Sequence, residues 1–345
     1  MNQSAQEREP FINHGHARVL ASQGYVLGVE ISNGGMRQAV ALADLGGQVV
    51  QHTRRRSAQP LDGPAATAIL QEMIGEVCSP ERLKGNRVLR CGVAVGAPVD
   101  AERGLVRRMY HAEGWEQWPL KERLEQQRGI PTILDNDANA AALGEAIFGA
   151  GRGERYLVYI GLGRGIGAGI VLNGAIYHGV GTMAGEIGHT IVKEDGPLCS
   201  CGRRGHLEAI ASAQAMVRTL IGVSVEYPQT EEAIRRATDG RAEAMTVDQV
   251  FRIAAEGDPV AQEVVNAALH ALAISLANLV NVLDPGVLIL GGAGALAGDL
   301  LFGPLRLMVP PLCLRPASDP IRIVPSALGS EASLKGAVAL ALQDV

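Results

Sequence analysis

Two cysteines and two histidines stand close together in the middle of the chain. His189 is followed by Cys199 and Cys201, and His206 comes shortly after them. Zinc prefers four nitrogen or sulfur ligands at the corners of a tetrahedron. The alternative is a loop with two reduced cysteines beside unrelated histidines, but the compact spacing favours zinc. Because the four side chains leave no open position, the pattern predicts a structural metal rather than a catalytic one.

An aspartate stands where a predicted strand gives way to a predicted helix. Residues 131–135 are typical of a short strand and 139–148 of a helix, with Asn136 and Asp137 between them. Aspartate is a good helix N-cap, so the position has a purely structural explanation. A carboxylate at the end of a strand also faces the ligand crevice of an open α/β sheet, where it can accept a hydroxyl proton. The sequence supports both interpretations equally.

Glycine recurs at every second position from Gly161 to Gly169. In a pair of strands this leaves bare backbone along one face, where phosphates can approach the N–H groups. Tight packing of two hairpins explains the same pattern, and the absence of a following Gly-Lys-Ser/Thr excludes a P-loop. A further pair, Gly291-Gly292, ends an apolar run and either seats a nucleotide base or caps a strand.

The bulk composition limits the classes of protein to consider. The chain has 345 residues, enough for two domains, with 47% hydrophobic and 19% charged residues. A net charge of -5 predicts no general attraction to nucleic acid. No apolar run reaches the roughly 18 residues of a membrane span, and the polar N-terminus lacks a signal-peptide core. We therefore expect a cytoplasmic protein with no membrane partner.

The predicted elements follow an order that repeats. Each half begins with strands joined by a glycine-rich hairpin, and alternating helices and strands follow. The predicted strands and helices are strands 25–31, 38–45, 48–56, 88–99 and 131–135, helices 63–77, 120–127 and 139–148, the strand–hairpin–strand 155–177, the helix 259–283, strands 287–292 and 321–328, and the helix 333–342. Two such halves across a cleft make the actin-like ATPase plan; the alternative is an α/β protein with two unrelated domains.

From about Tyr25 to the C-terminus, the ordered motifs resemble those of the ROK family, named for repressors, open reading frames and sugar kinases. The motifs are GAPVD (96–100), NDANAAALGE (136–145), GLGRGIGAGIVLNGAIYHG (161–179), AGEIGH (184–189), CSCGRRGHLE (199–208), NLVNVLDPGVLILGG (278–292) and LGSEASLKGA (328–337). The resemblance implies an α/β fold of the two-lobed actin-like ATPase / sugar kinase (ribonuclease H-like) type. It implies a flexible segment 1–24, a small lobe 25–135 plus 330–345, and a large lobe 136–329 with a zinc loop 189–206.

The resemblance also implies a ligand and its contacts. A hexose or N-acetylhexosamine would lie in the interdomain cleft, with Asp137 as the base that deprotonates the sugar 6-hydroxyl in the kinases. The implied sugar-binding residues are Asn136, Asp137, Glu186, His189 and Glu208. The implied metal ligands are His189, Cys199, Cys201 and His206. The phosphate-binding residues, if that function is retained, are Gly34, Gly35, Gly163, Arg164, Gly165, Gly291 and Gly292. A homodimer or homotetramer is expected.

Four departures from the family pattern bear on function. The kinases have an Asp-x-Gly-Gly-Thr-type hairpin for ATP phosphates, but here the acid is Glu30 and the threonine is missing. Arg164 stands where kinases usually have threonine, and His111 replaces a sugar-contacting asparagine. His206 replaces the usual third cysteine, which zinc should accept.

Three functional hypotheses follow. The favoured one is a sugar-responsive, regulator-like protein with a degenerate phosphate site, structural zinc and no direct DNA binding. The second is an ATP-dependent hexose 6-kinase that uses Mg-ATP. The third is a repressor whose winged-helix domain is encoded upstream of Met1, because the roughly 24 residues before the first strand are too few for that domain.

Overall fold

The computed structural model describes residues 24–109, 112–316, 319–343 and 345. The predicted flexible segment, apart from Gly24, and the substituted sugar position His111 lie outside the described residues. In chain order the strands are β1 (Tyr25–Ser32), β2 (Arg37–Asp44), β3 (Val49–Arg56), β4 (Val88–Val95), β5 (Val99–Asp100), β6 (Leu105–Val106), β7 (Thr132–Asn136), β8 (Leu157–Leu162), β9 (Ile166–Leu172), β10 (Ala175–Ile176), β11 (Val287–Gly291) and β12 (Arg322–Pro325). The α-helices are α1 (Gly63–Val77), α2 (Pro80–Leu83), α3 (Leu120–Arg128), α4 (Asp137–Phe148), α5 (Leu207–Ala211), α6 (Ala213–Ser224), α7 (Pro228–Ala237), α8 (Val247–Ala255), α9 (Pro259–Leu283), α10 (Asp299–Met308) and α11 (Ala332–Leu342).

Two five-stranded sheets share one topology. The first has the order β3-β2-β1-β4-β7, and the second has the order β10-β9-β8-β11-β12. In each sheet a hairpin pairs two strands antiparallel, β1 with β2 and β8 with β9. On the other side of β1 the strands β4 and β7 add in parallel, and on the other side of β8 the strands β11 and β12 do the same. The repeat that the sequence predicted is therefore present, with the glycine-rich hairpins β1–β2 and β8–β9 in equivalent places.

The chain divides into two compact units. The first takes in the described residues up to Phe148, together with Asn173–Ile176 and Ser333–Val345, and the second contains Gly149–Leu172 and Tyr177–Ala332. The sequence analysis put α4 in the second lobe, whereas here it groups with the first unit. The reason is packing against α11: Ala140 and Leu143 share a buried apolar cluster with Ala337 and Leu340.

The first unit buries apolar side chains on both faces of its sheet. On one face Leu27, Val29 and Ile31 of β1 join a cluster that includes residues of α1 and α3. On the other face Val26 packs with Val338 of α11. A sheet covered on both faces explains why the central strands read as continuous apolar runs.

The second unit is built around α9. This helix is apolar and long enough to cross a bilayer by length and composition alone. More than half of its most apolar window is buried, and it packs against α5, α6, α8 and α10. Its buried side chains belong to the same large apolar cluster as those of β8 and β11. The composition of α9 is thus that of a core helix of this unit.

Candidate functional site

His189, Cys199, Cys201 and His206 bring their ligand atoms within 4.8 Å of one another. His189 ends a short 3₁₀ turn, Ile187–His189, and His206 is the N-cap residue of α5. The two histidine Nδ1 atoms are 3.3 Å apart, and Cys199 Sγ lies 3.7 Å from Nδ1 of His189. Cys201 Sγ lies 3.3 Å from Nδ1 of His206. The described part of the chain thus contains a compact group of two sulfur and two nitrogen donors.

The spacing of these donors fits a tetrahedral metal. Zinc–nitrogen bonds of about 2.0–2.1 Å at tetrahedral angles place two nitrogens roughly 3.3 Å apart, and a nitrogen and a sulfur roughly 3.6 Å apart. The separations of 3.3 Å between the two nitrogens and of 3.3 and 3.7 Å in two nitrogen–sulfur pairs are close to these values. Two ligands are deeply buried, with Cys199 4% and His206 2% exposed. The donor set and its geometry therefore suit zinc, and the cysteine-to-histidine departure leaves them intact.

A glycine allows the loop to close around this group. Gly205 has φ +75, and an added Cβ would overlap the carbonyl oxygen of Lys193. The Gly205 carbonyl in turn accepts a hydrogen bond from the backbone N–H of Val192. Only glycine adopts this conformation at such close approach without strain, so the loop geometry depends on Gly205.

The ring of His189 contacts two different groups. Its Nδ1 faces the donor cluster, while its Nε2 lies 3.9 Å from Oε2 of Glu186. Burial raises the pKa of the Glu186 carboxyl; the charge of His189 opposes this rise, and that of Glu208 adds to it. Glu186, His189 and Glu208, which the family resemblance implied as sugar contacts, therefore lie close enough to influence one another.

Glu208 contacts both the loop 189–206, called the metal-binding loop below because it carries the four candidate ligands, and the second glycine-rich hairpin, β8–β9. Its Oε2 accepts a hydrogen bond of 3.0 Å from the backbone N–H of Ile166, and its Oε1 accepts one of 3.2 Å from Ser200 Oγ. The same Oε1 is 3.8 Å from Cys199 Sγ. The contact with Ile166 joins residues 42 positions apart in the chain, so the local sequence contains no signal for it.

The second hairpin turns through Gly163, Arg164 and Gly165. The N–H of Gly163 donates to the carbonyl of Gly165 at 2.9 Å, and the Arg164 side chain is exposed. Gly291 ends β11, where it pairs with Gly161 of β8, and Gly292 follows it. An added Cβ on Gly291 would overlap the ring of Tyr159, and one on Gly292 would lie 2.7 Å from the carbonyl oxygen of Leu162. Packing against β8 therefore explains both of these glycines.

The first hairpin turns through Asn33, Gly34, Gly35 and Met36. Three consecutive residues have positive φ: Asn33 (53), Gly34 (66) and Gly35 (78). The carbonyl of Gly34 accepts a hydrogen bond of 3.0 Å from the N–H of Leu61. An added Cβ on Gly35 would lie 3.2 Å from Leu61 Cβ and 3.4 Å from the Trp115 ring. Both glycines are buried, and this turn packs onto its own unit.

Asn136, rather than Asp137, caps α4. The Asn136 Oδ1 accepts hydrogen bonds from the N–H groups of Ala138 and Asn139 at 2.8 and 3.4 Å, and its Nδ2 donates to the carbonyl of Ala97. The N-cap interpretation of Asp137 is thus wrong by one residue, because the helix begins at Asp137 and its cap is the preceding residue.

The Asp137 carboxylate lies beside Gly96, the residue that follows β4. An added Cβ on Gly96 would be 3.1 Å from Asp137 Oδ2 and 3.5 Å from Ser32 Cα. Ser32 is the residue at which β1 enters the first hairpin turn. Gly96 therefore has the Asp137 carboxylate and the start of that turn as neighbours, and its missing Cβ leaves room for the carboxylate.

Comparison with known proteins identifies the family. The ROK family model matches residues 26–344, which covers both units. The chain belongs to the ROK family. A glucokinase of Halalkalibacterium halodurans is 33% identical over 91% of this chain and 94% of its own length. The DNA-binding transcriptional repressor Mlc of Escherichia coli is 28% identical over 91% of this chain and 74% of its own length.

Solved structures of ROK proteins share the fold. The ROK family glucokinase of Streptomyces griseus, in complex with glucose and AMPPNP, superposes with a TM-score of 0.77 at 30% identity, covering 93% of this chain and 100% of that one. The ROK hexokinase of Thermus thermophilus superposes with a TM-score of 0.75 at 30% identity, covering 92% and 97%. The α/β sugar kinase fold of the actin-like ATPase type that the sequence predicted is confirmed for this ROK protein.

The candidate residues of this ROK chain fall on both units. Asn136, Asp137 and the first hairpin belong to the first unit, and Glu186, His189 and Glu208 belong to the second. The structure brings the last three together with the metal-binding loop and the second hairpin. The sequence motifs predicted that these three residues lie at one site, but they did not predict the contact of Glu208 with the hairpin.

Proposed function

We propose that this protein binds a hexose or N-acetylhexosamine and transfers phosphate from ATP slowly or not at all. The observation that carries the second part is the first hairpin turn, where Met36 follows the glycine pair and no threonine is present. Gly34 and Gly35 pack on Leu61 and Trp115. Phosphoryl transfer depends almost entirely on positioning and on neutralising charge, so the loss of a phosphate-gripping turn lowers its rate.

The second hairpin supports the same proposal. Arg164 occupies the centre of its turn, where the family kinases usually have a small threonine, and its long side chain is exposed. A side chain of this size at the turn obstructs the approach of a nucleotide phosphate to the glycine backbone. Asp137 then serves as a sugar ligand rather than as a base.

Carboxylates grouped with the metal-binding loop support sugar binding. Glu186 and Glu208 offer acceptor oxygens to sugar hydroxyls, and charge-assisted hydrogen bonds of this kind are strong in a partly desolvated site. The structural relative from Streptomyces griseus contains glucose, and we extend this ligand class to the present chain. The glucokinase relative is consistent with a sugar ligand.

We further propose structural zinc at His189, Cys199, Cys201 and His206. The ion would cross-link the loop, and the protein's own side chains would position the carboxylates that bind the sugar. His189 would orient Glu186 through its second ring nitrogen, and His206 would fix the start of α5, which carries Glu208.

Calorimetric titration with glucose, mannose and N-acetylglucosamine tests sugar binding. For Glu186→Ala we expect a loss of about 1–3 kcal/mol, because a hydroxyl is left unpaired, or roughly ten- to a hundredfold in Kd. Glu194→Ala, an exposed carboxylate near the metal-binding loop, is the matched control and should bind as the wild type does. An unchanged Kd for Glu186→Ala would show that the sugar binds elsewhere.

A second function, ATP-dependent hexose phosphorylation, is favoured by the position of Asp137. Its carboxylate and the start of the first hairpin turn are both neighbours of Gly96, and a carboxylate there can accept a proton from an attacking hydroxyl. Glucokinase relatives match this chain along nearly their whole length. Under this alternative, Asp137 would hold the 6-hydroxyl proton while Mg-ATP supplies the phosphoryl group, and Asp137→Asn would abolish turnover.

A further inference from the structure

Both oxygens of the Glu208 carboxylate are held by donors from different segments. The backbone N–H of Ile166, at the start of β9, donates to Oε2 at 3.0 Å. The hydroxyl of Ser200, in the metal-binding loop, donates to Oε1 at 3.2 Å. Two donors on two oxygens fix the plane of a carboxylate, whereas one donor would leave it free to rotate. The orientation of Glu208 is therefore set jointly by the hairpin and by the metal-binding loop.

Gly165 leaves the space that Glu208 occupies. Its φ is not in the left-handed region, so backbone conformation does not demand glycine there. An added Cβ would instead overlap Oε2 of Glu208. Any side chain at this position would push the carboxylate away from the N–H of Ile166. Glycine is thus needed at position 165 because the Glu208 carboxylate occupies the space that a side chain would fill.

Ser200 is placed by the metal ligands on either side of it. Cys199 and Cys201 both belong to the donor cluster, so a bound ion would restrain the backbone on both sides of Ser200. The serine side chain itself is exposed and contributes nothing to the buried core. The metal-binding loop holds the Ser200 hydroxyl in place, and this hydroxyl donates a hydrogen bond to Glu208.

We propose that Ser200 and Gly165 are positioning residues for Glu208 in sugar recognition, an inference that rests on the proposed sugar-binding function. Each carboxylate oxygen has two lone pairs. The N–H of Ile166 uses one on Oε2, and the hydroxyl of Ser200 uses one on Oε1, which also has Cys199 Sγ at 3.8 Å. The carboxylate therefore keeps acceptor capacity for a sugar hydroxyl. A carboxylate already held in place loses little side-chain freedom when the sugar binds, so holding it raises the affinity.

The zinc-loaded wild type and two variants of it test the role of Ser200. Glucose, mannose and N-acetylglucosamine are titrated by calorimetry into the wild type, Ser200→Ala and Ser200→Thr. We expect Ser200→Ala to weaken the tightest-bound sugar about three- to tenfold, as for loss of one ordinary hydrogen bond. Ser200→Thr keeps the hydroxyl and should restore the affinity. Zinc content, measured by elemental analysis, should stay the same in all three.

A second pair of variants tests Gly165. Gly165→Ala should weaken the same sugar at least tenfold, because the new Cβ displaces Glu208. Gly222→Ala is the control: this glycine also lacks a positive φ, and an added Cβ there meets nothing within 4 Å. In hydrogen exchange, the amide of Ile166 should exchange faster in Gly165→Ala than in Gly222→Ala.

The outcomes separate the two proposals. Wild-type protein that binds none of the three sugars overturns the sugar-binding function and this inference with it. Wild-type binding that Ser200→Ala and Gly165→Ala leave unchanged overturns the inference alone. Weaker binding by Ser200→Ala that is accompanied by zinc loss also overturns it, because Ser200 would then act on the metal-binding loop rather than on Glu208.

Discussion

Gly188→Ala is expected to disturb the metal ligands and the sugar contacts together. Gly188 lies between Glu186 and His189, and an added Cβ would overlap the carbonyl oxygen of Ile166. The segment must then retreat from β9 by about 1 Å to reach ordinary van der Waals separation. Such a shift stretches a hydrogen bond of about 2.9 Å beyond the distance at which it contributes.

The magnitude follows from this displacement. Overpacking of this kind costs about 1–3 kcal/mol of folding stability. Loss of one charge-assisted hydrogen bond from Glu186 to a sugar costs about 1.5–3 kcal/mol, so the Kd for glucose should rise roughly ten- to a hundredfold. Displacement of His189 should lower the zinc content below one ion per chain.

Calorimetry with glucose and elemental analysis of zinc measure both effects. Gly181→Ala is the matched control, because it lies in the preceding loop and an added Cβ meets its nearest atom, Met183 Cγ, at an ordinary 3.9 Å. We expect this control to behave as the wild type. Gly188→Ala protein that binds glucose and zinc normally would refute the placement of the Glu186–His189 segment against β9.

Three further changes have expected outcomes. Cys199→Ala should lose the zinc and lower the melting temperature, because metal binding is coupled to the folding of the loop, whereas Cys313→Ala should keep the zinc; elemental analysis and thermal melts distinguish them. Burial raises the pKa of Cys78 to about 11 and that of Cys91 to about 12, so neither thiol should react with iodoacetamide at pH 8 until the protein unfolds. Since these folded-state pKa values exceed the unfolded value, the free energy of unfolding is unaffected by the two thiols below about pH 9 and falls as the pH rises toward 12. Chemical denaturation over this pH range should show a smaller fall in the free energy of unfolding for Cys91→Ala than for the wild type. Gly336→Ala should strongly destabilise the first unit, because an added Cβ would overlap the backbone of α4, and a melt as stable as the wild type would contradict that packing.

Local sequence signals predicted many of the elements. The helix predicted over 63–77 is α1, and the one predicted over 259–283 is α9. Both have a capping aspartate, a proline in the first turn and a sustained apolar periodicity, all of which are local properties. The strand predicted over 88–99 ends earlier, at Val95, and the chain turns at Gly96 toward a separate short strand.

The parts that the sequence did not predict depend on distant contacts. The grouping of α4 with the first unit rests on α11, whose Gly336 lies against Ala140. The metal-binding cluster was predictable because its four ligands lie within one short segment. The orientation of Glu208 was not, because one of its two donors, the N–H of Ile166, lies in a hairpin 42 residues earlier in the chain.

A coupled ADP-release assay tests the central claim most directly. The purified chain, with Mg-ATP, is given glucose, mannose, fructose, N-acetylglucosamine, N-acetylmannosamine or allose at saturating concentration. Because the first hairpin lacks the threonine and Arg164 occupies the second, we expect binding of at least one sugar but turnover far below about 1 s⁻¹. Turnover in the range of about 1–100 s⁻¹ typical of kinases, abolished by Asp137→Asn, would contradict the account and identify the chain as a sugar kinase.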